Sequence, residues 1–97
     1  MMRKLYERII CKDGFSMSVQ ANESAYCTPR KNSQPEYASV EVGFPSSRED
    51  LIMEYAEDPK DPTETVYGWV PAEVIRKVIV KHGGISTGEH PPLSANQ

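Results

Sequence analysis

Cysteine and histidine are scarce in this chain, with two of each. Cys11 and Cys27 make neither a disulfide scaffold nor a zinc-ligand pair, and Cys11 falls in an apolar strand where a reduced, buried thiol is expected. Thiol catalysis would need one of them paired with a histidine base, and nothing in the spacing supplies that pair. His90 lies in a polar, proline-containing C-terminal stretch. His82 ends an apolar helix and is read as a structural histidine. Glycine-based phosphate loops are also missing, as is the His-Glu-x-x-His zinc pattern. Apolar residues make up 38% of the chain, and no run approaches the roughly 20 needed to span a bilayer. The expectation is a soluble, cytoplasmic protein without a leader peptide. Basic residues number 11 against 14 acidic ones. That balance argues against binding of a nucleic-acid backbone as the general role. No catalytic residues, no cofactor and no metal site are expected.

What the chain does have is a stretch around which the rest can be organised, Val66 to Gly83. A strand, 65–70, runs into Pro71, which fits the first position of a helix because its missing N–H costs nothing there. Val74, Ile75, Val78 and Ile79 recur at helical spacing. Gly83 and Gly84 fit a left-handed C-cap. Because valine and isoleucine are mediocre helix formers, this helix needs a sheet to lie on.

The sheet is legible upstream. Asp13-Gly14 is a hairpin turn between β-prone residues. A two-residue turn there places Ile10 opposite Met17 and Cys11 opposite Ser16, with Arg8 awkwardly opposite Val19. Phe15, Met17, Val19 and Ala21 alternate with polar residues, as half-buried strands do. A polar loop, 22–36, leads to a third strand, 37–44. There Ala38, Val40, Val42 and Phe44 are expected to face the core. Ser46 with Glu49, or Ser47 with Asp50, has the spacing of a capping box, followed by the stripe Leu51, Ile52, Tyr55 and Ala56. Asp58-Pro59 and Asp61-Pro62 end that helix. In strand 65–70, Tyr67 and Trp69 share one face and Val66, Gly68 and Val70 the other. The reading is one α+β domain, residues 1–85. It has a small antiparallel sheet of three to four strands and two helices in the order β-β-β-α-β-α. Residues 86–97 are expected to form a disordered tail.

The most distinctive segment is acidic. Glu49, Asp50, Glu54, Glu57, Asp58, Asp61 and Glu64 surround a single base, Lys60, so the segment carries −6 and the remainder +3. Calcium chelation by Asp58, Asp61 and Glu64 is not expected, because the alternating ligands and central glycine of a calcium loop are missing. A solvated helix face and charged turn would account for the pattern. So would a surface that steers association with a basic partner. On the second reading the partner-binding residues are those seven carboxylates together with Tyr55 and Tyr67. Five tyrosines in the chain suit an interface, where large half-polar rings are favoured.

The segments Asp13–Ala21 (DGFSMSVQA), Val40–Ser46 (VEVGFPS), Tyr55–Pro59 (YAEDP) and Tyr67–Ile75 (YGWVPAEVI) resemble small proteins encoded by bacterial phages and prophages. The resemblance implies a bacterial host cell. It also implies an inhibitor of host defence, anti-CRISPR proteins being of this kind. The expected function is therefore a non-catalytic protein-binding module that acts through its acidic surface on a host nucleic-acid-handling or defence complex. Its expected partner is a host protein with a basic surface. The alternative is a small nucleic-acid-binding phage accessory protein. It would use Tyr67 and Trp69 for base stacking and Arg3, Lys4, Arg8, Lys12, Arg30 and Lys31 for phosphates. Sheet edges left open by so few strands could be covered in a homodimer.

Overall fold

The computed structural model describes residues 4–95. Three strands come first: β1 (Ile9–Cys11), β2 (Ser16–Gln20) and β3 (Ser39–Gly43). A short 3-10 helix (Asp50–Tyr55) follows, then β4 (Val66–Pro71), helix α1 (Ala72–Lys81) and β5 (Ile85–Thr87). The strands form one sheet in the order β4-β3-β2-β1-β5, with every pairing antiparallel. The α+β class stands, with one strand more than the sequence suggests.

The hairpin register differs from expectation by one residue. Ile9 pairs with Met17 and Ile10 with Ser16. The Cys11 N–H donates to the Phe15 carbonyl, so the turn holds more than two residues. A one-residue slip exchanges the two faces of a strand. Here it buries Ile9, Cys11, Met17 and Val19 together and leaves Ile10 exposed. It also removes the Arg8 conflict: the Arg8 guanidinium instead donates to Ser16 and to the Phe44 carbonyl.

In β3, Val40 and Val42 are buried as the alternation requires, but the pattern fails at both ends. Ala38 is exposed and Tyr37 is buried. Phe44 is 50% exposed with φ of 48°, because the chain turns out of the sheet there. Tyr37 is held by its hydroxyl, which donates to the Lys31 carbonyl at 2.8 Å. The capping box is also replaced. Ser46 pairs with Ser16 through backbone and side chain, continuing the β2–β3 pairing past the end of β3. Glu49 itself becomes the N-cap and accepts from the Leu51 N–H at 2.9 Å.

Helix α1 matches its periodicity. Ala72, Ile75 and Val78 are buried, and Val74 and Ile79 pack at the margin of the core. Pro71 stands one position earlier than expected, as the N-cap. Gly83 and Gly84 both have positive φ, and the Gly84 N–H donates to the Ile79 carbonyl. This is the left-handed cap that closes a helix C-terminus.

Within 86–95 the expected disorder gives way to built structure. β5 pairs with β1, Thr87 opposite Ile10 and Ile85 opposite Cys11. Farther on, the Tyr37 N–H donates to Pro92 and the Ser94 N–H to Tyr37, while Arg76 donates to the Leu93 carbonyl. The prolines stop a helix but leave carbonyls free to pair. Residues 96 and 97 lie outside the described part.

Candidate functional site

The acidic segment divides into a buried part and an exposed part. Glu49 is 1% exposed. Its carboxylate accepts from Lys81 Nζ at 2.8 Å and faces His82 Nε2 at 2.7 Å, while His82 Nδ1 faces Asp13 at 2.6 Å. A carboxylate only accepts, so an imidazole between two carboxylates must donate from both nitrogens and is an imidazolium. Burial alone would push the His82 pKa down, but Glu49 and Asp13 outweigh it and hold it above the ordinary 6.5. For Glu49, burial pushes upward, and the Lys81 ammonium, the Leu51 N–H and His82 together hold it below its usual range. Asp13 is lowered by the Phe15 N–H and then by His82. The ring of Phe15 stacks on His82 with centroids 4.1 Å apart.

Two cations and two carboxylates therefore tie the end of α1 to the β1–β2 turn and to the 3-10 helix. Both imidazole nitrogens are engaged by carboxylates within the fold. Burial pushes the thiols of Cys11 and Cys27 upward, away from the thiolate. Both are buried.

Tyr67 is also removed from the surface. It is fully buried, and its hydroxyl donates to the Pro62 carbonyl at 2.5 Å. The expected pairing of Tyr67 with Trp69 on one face fails for a local reason. Val40 opposes Val70 and Val42 opposes Tyr67, so Gly68 and Trp69 together face the single residue Glu41. Such a bulge breaks the alternation. Tyr67 and Val70 both turn into the core, and Trp69, at φ of 51°, turns out to 51% exposure.

The remaining carboxylates are exposed: Asp50 and Glu54 on the 3-10 helix, and Glu57, Asp58, Asp61 and Glu64 beyond it. The last four sit on one closed loop. Ala56 bridges Tyr67, and the Glu57 N–H donates to the Val66 carbonyl. Within the loop, Asp58 N–H is held by Thr65 Oγ, Asp61 N–H by the Asp58 carbonyl and Glu64 N–H by the Asp61 carbonyl. Four negative charges are thus concentrated on a turn, with Lys60 the base among them.

Beside this loop lies a groove of about 340 Å³ lined by Tyr26, Tyr55, Glu57, Gly68 and Trp69. Tyr26 comes from the polar loop 22–36. It is brought there by the Trp69 N–H, which donates to its carbonyl, and by its own N–H, which donates to Glu41. Tyr26 and Trp69 stack with centroids 5.0 Å apart, and the Arg30 guanidinium lies 5.3 Å from the Tyr26 ring. Gly68 permits this approach, because a Cβ there would stand 3.2 Å from the Tyr26 Cβ. The phenol of Tyr55 is held above its ordinary value by partial burial and then by Glu54. Sequence reasoning singled out Tyr55, Glu57 and Trp69 but not their assembly with Tyr26. The signal that could have pointed to it is the Gly68-Trp69 pair inside a strand, since a strand glycine often marks a bulge or a close approach.

Among the described residues no group of three or more His, Cys, Asp or Glu side chains is placed to hold a metal ion. No described helix is long and apolar enough to cross a membrane. Comparison with known proteins supplies no relative: no family model matches the chain, and neither a curated protein nor a solved structure does so.

Proposed function

We propose that the chain is a non-catalytic protein-binding module. Its exposed carboxylates engage a basic surface on a host nucleic-acid-handling or defence complex and thereby inhibit it. The observation that supports this reading best is the closed 57–66 loop. It presents Glu57, Asp58, Asp61 and Glu64 on a turn anchored to β4, next to Asp50 and Glu54. A concentrated field of one sign raises encounter rates with an oppositely charged partner. Glu49 and Tyr67 act behind this surface: one fixes the start of the 3-10 helix and the other holds the loop at Pro62. The host-defence context rests on the resemblance to phage-encoded proteins.

The test is capture of binding proteins from bacterial lysate by the native chain and by the variant Glu54→Lys, Glu57→Lys, Asp58→Lys. A captured partner should associate at least about tenfold more slowly with the variant, and with a weaker salt dependence. Equal association by both proteins would reduce the acidic surface to a solvated face.

The alternative, a single-strand nucleic-acid binder, draws support from the exposed Tyr26–Trp69 stack with Arg30 beside it. Its basic residues are less well placed. Arg8 is engaged by Ser16 and Phe44, and Lys4 pairs with Glu89 at 3.4 Å. Arg3 lies outside the described residues.

A further inference from the structure

We infer that the groove between Tyr26, Tyr55 and Trp69 is a binding site for an arginine side chain of the partner protein, with Glu57 as its counter-ion. This deepens the proposed function and rests on it for the partner's basic character. The argument starts from what the groove offers. Three aromatic residues line it and one carboxylate stands at it. Aromatic faces are negative at the ring, so a cation over them is attracted, and the Glu57 charge adds to that preference. A neutral apolar guest would make no use of the exposed Glu57 charge. An anion would meet the Glu57 charge, with Arg30 on the Tyr26 ring as a nearby cation.

Among cations the shape favours guanidinium. It is planar, it stacks on aromatic faces, and its fork of N–H groups fits a carboxylate bidentately, which an ammonium cannot do. The molecule already contains such a contact: Arg30 rests over Tyr26. Gly68 has no side chain to fill the floor of the groove. The site also has its polar groups available. Among the described residues, neither the Glu57 carboxylate nor the Trp69 indole N–H is engaged by another side chain.

The groove and the acidic loop share Glu57, so a basic segment of a partner could run along the loop and set one arginine between the rings. The loop would then govern how fast the partner arrives, and the groove how long it stays, since electrostatic steering acts mainly on association.

Trp69 is the single tryptophan of the chain, so its fluorescence reports occupancy directly. The experiment is a titration of the full chain with an acetylated, amidated Gly-Arg-Gly peptide. The same peptide with citrulline, a neutral isostere, serves as the control. The expected result is a saturable change in the millimolar range for arginine and at least about tenfold weaker binding for citrulline. Glu57→Gln and Tyr55→Ala should each weaken the arginine response. The variant Asp58→Asn, Asp61→Asn, Glu64→Gln should keep it.

Equal binding of the two peptides, or no saturable response to arginine, would overturn the site. So would tighter binding of oligothymidylate than of the arginine peptide, which would make the groove a base-stacking platform. The two proposals fail separately. If reversal of Asp58, Asp61 and Glu64 to lysine, which spares Glu57, slows a captured partner but Tyr55→Ala and Tyr26→Leu leave its dissociation unchanged, the groove inference falls and the acidic-surface reading stands. If the peptide binds as expected but that Glu57-sparing reversal alters nothing, the reverse holds.

Discussion

His82 sits between two carboxylates, and its charge state sets a pH dependence for the whole chain. Its folded pKa is raised above 6.5, so its contribution to stability is complete below 6.5 and is lost as pH rises through the raised value. Asp13 and Glu49 are lowered from 3.8 and 4.5, so their contributions are complete above those values and are lost as pH falls through the depressed ones. The network should be most stabilising between about pH 4.5 and 6.5. Thermal midpoints of the native chain should therefore fall as pH rises from 6 to 9, and His82→Gln should lower the midpoint at pH 6 and flatten that slope. An equal slope in the variant would place the titration elsewhere. Glu49→Ala removes partners from Lys81, His82 and the Leu51 N–H at once. Breaking a fully buried pair costs about 3–5 kcal/mol. Lys81 is half exposed and can turn to water, so about 2–3 kcal/mol is expected in urea denaturation.

At the scale of elements, β4 is the strand that decides the site. A regular strand would put Tyr67 and Trp69 on the same face, and only the bulge at Gly68 and Trp69 sends one inward and the other out. The close approach of Tyr26 makes residue 68 a sensitive position. Gly68→Val adds three carbons where the first already meets Tyr26. Overpacking of this kind costs about 1–3 kcal/mol, and the site lies at the surface where Tyr26 can retreat. The variant should therefore fold, lose about 1–2 kcal/mol, and show an altered Trp69 emission as the stack opens. Unchanged emission would mean that the ring pair tolerates the added bulk. The 3-10 helix illustrates the same dependence on surroundings. Its end before Pro59 was legible, and so was the inward face of Ile52, but Leu51 of the expected apolar stripe is exposed. Its cap was not, because Ser46 was drawn into pairing with β2 and Glu49 into the core.

For the molecule as a whole, the segment after α1 belongs to the fold. β5 closes one edge of the sheet on β1, and residues 92–94 bind Tyr37 and Arg76. Each such hydrogen bond contributes about 1 kcal/mol net. A chain ending at Gly84 should therefore lose about 2–4 kcal/mol, with a lower denaturant midpoint than the full chain. An unchanged midpoint would restore the picture of a dispensable tail. Charge is distributed on the same scale. Four of the carboxylates stand on the 57–66 loop. Several cations are engaged within the fold: Arg8 on Phe44, Arg76 on Leu93, Lys77 on Glu73 and Lys81 on Glu49. The slower, less salt-dependent association expected of the charge-reversed loop follows from that imbalance.

Local rules were enough for part of this. Helix α1, its glycine cap, the alternation of β2 and the centre of β3, and the concentration of charge between Glu49 and Glu64 are set locally, by residues near one another along the chain: two apart in the strands, three or four apart in the helix. The sequence determined those by itself. Tertiary structure decided the rest. The hairpin slipped by one residue because that register buries Ile9 with Met17 and frees Arg8 to reach Phe44. Glu49 left the acidic surface because Lys81 and His82, more than thirty positions away in the chain, arrive at its carboxylate when α1 packs. Trp69 met Tyr26 only because a bulge and a side-chain-free glycine let a distant loop close on the strand. A carboxylate or a ring takes its role from the partner that reaches it, and in this chain those partners come from segments far apart in sequence.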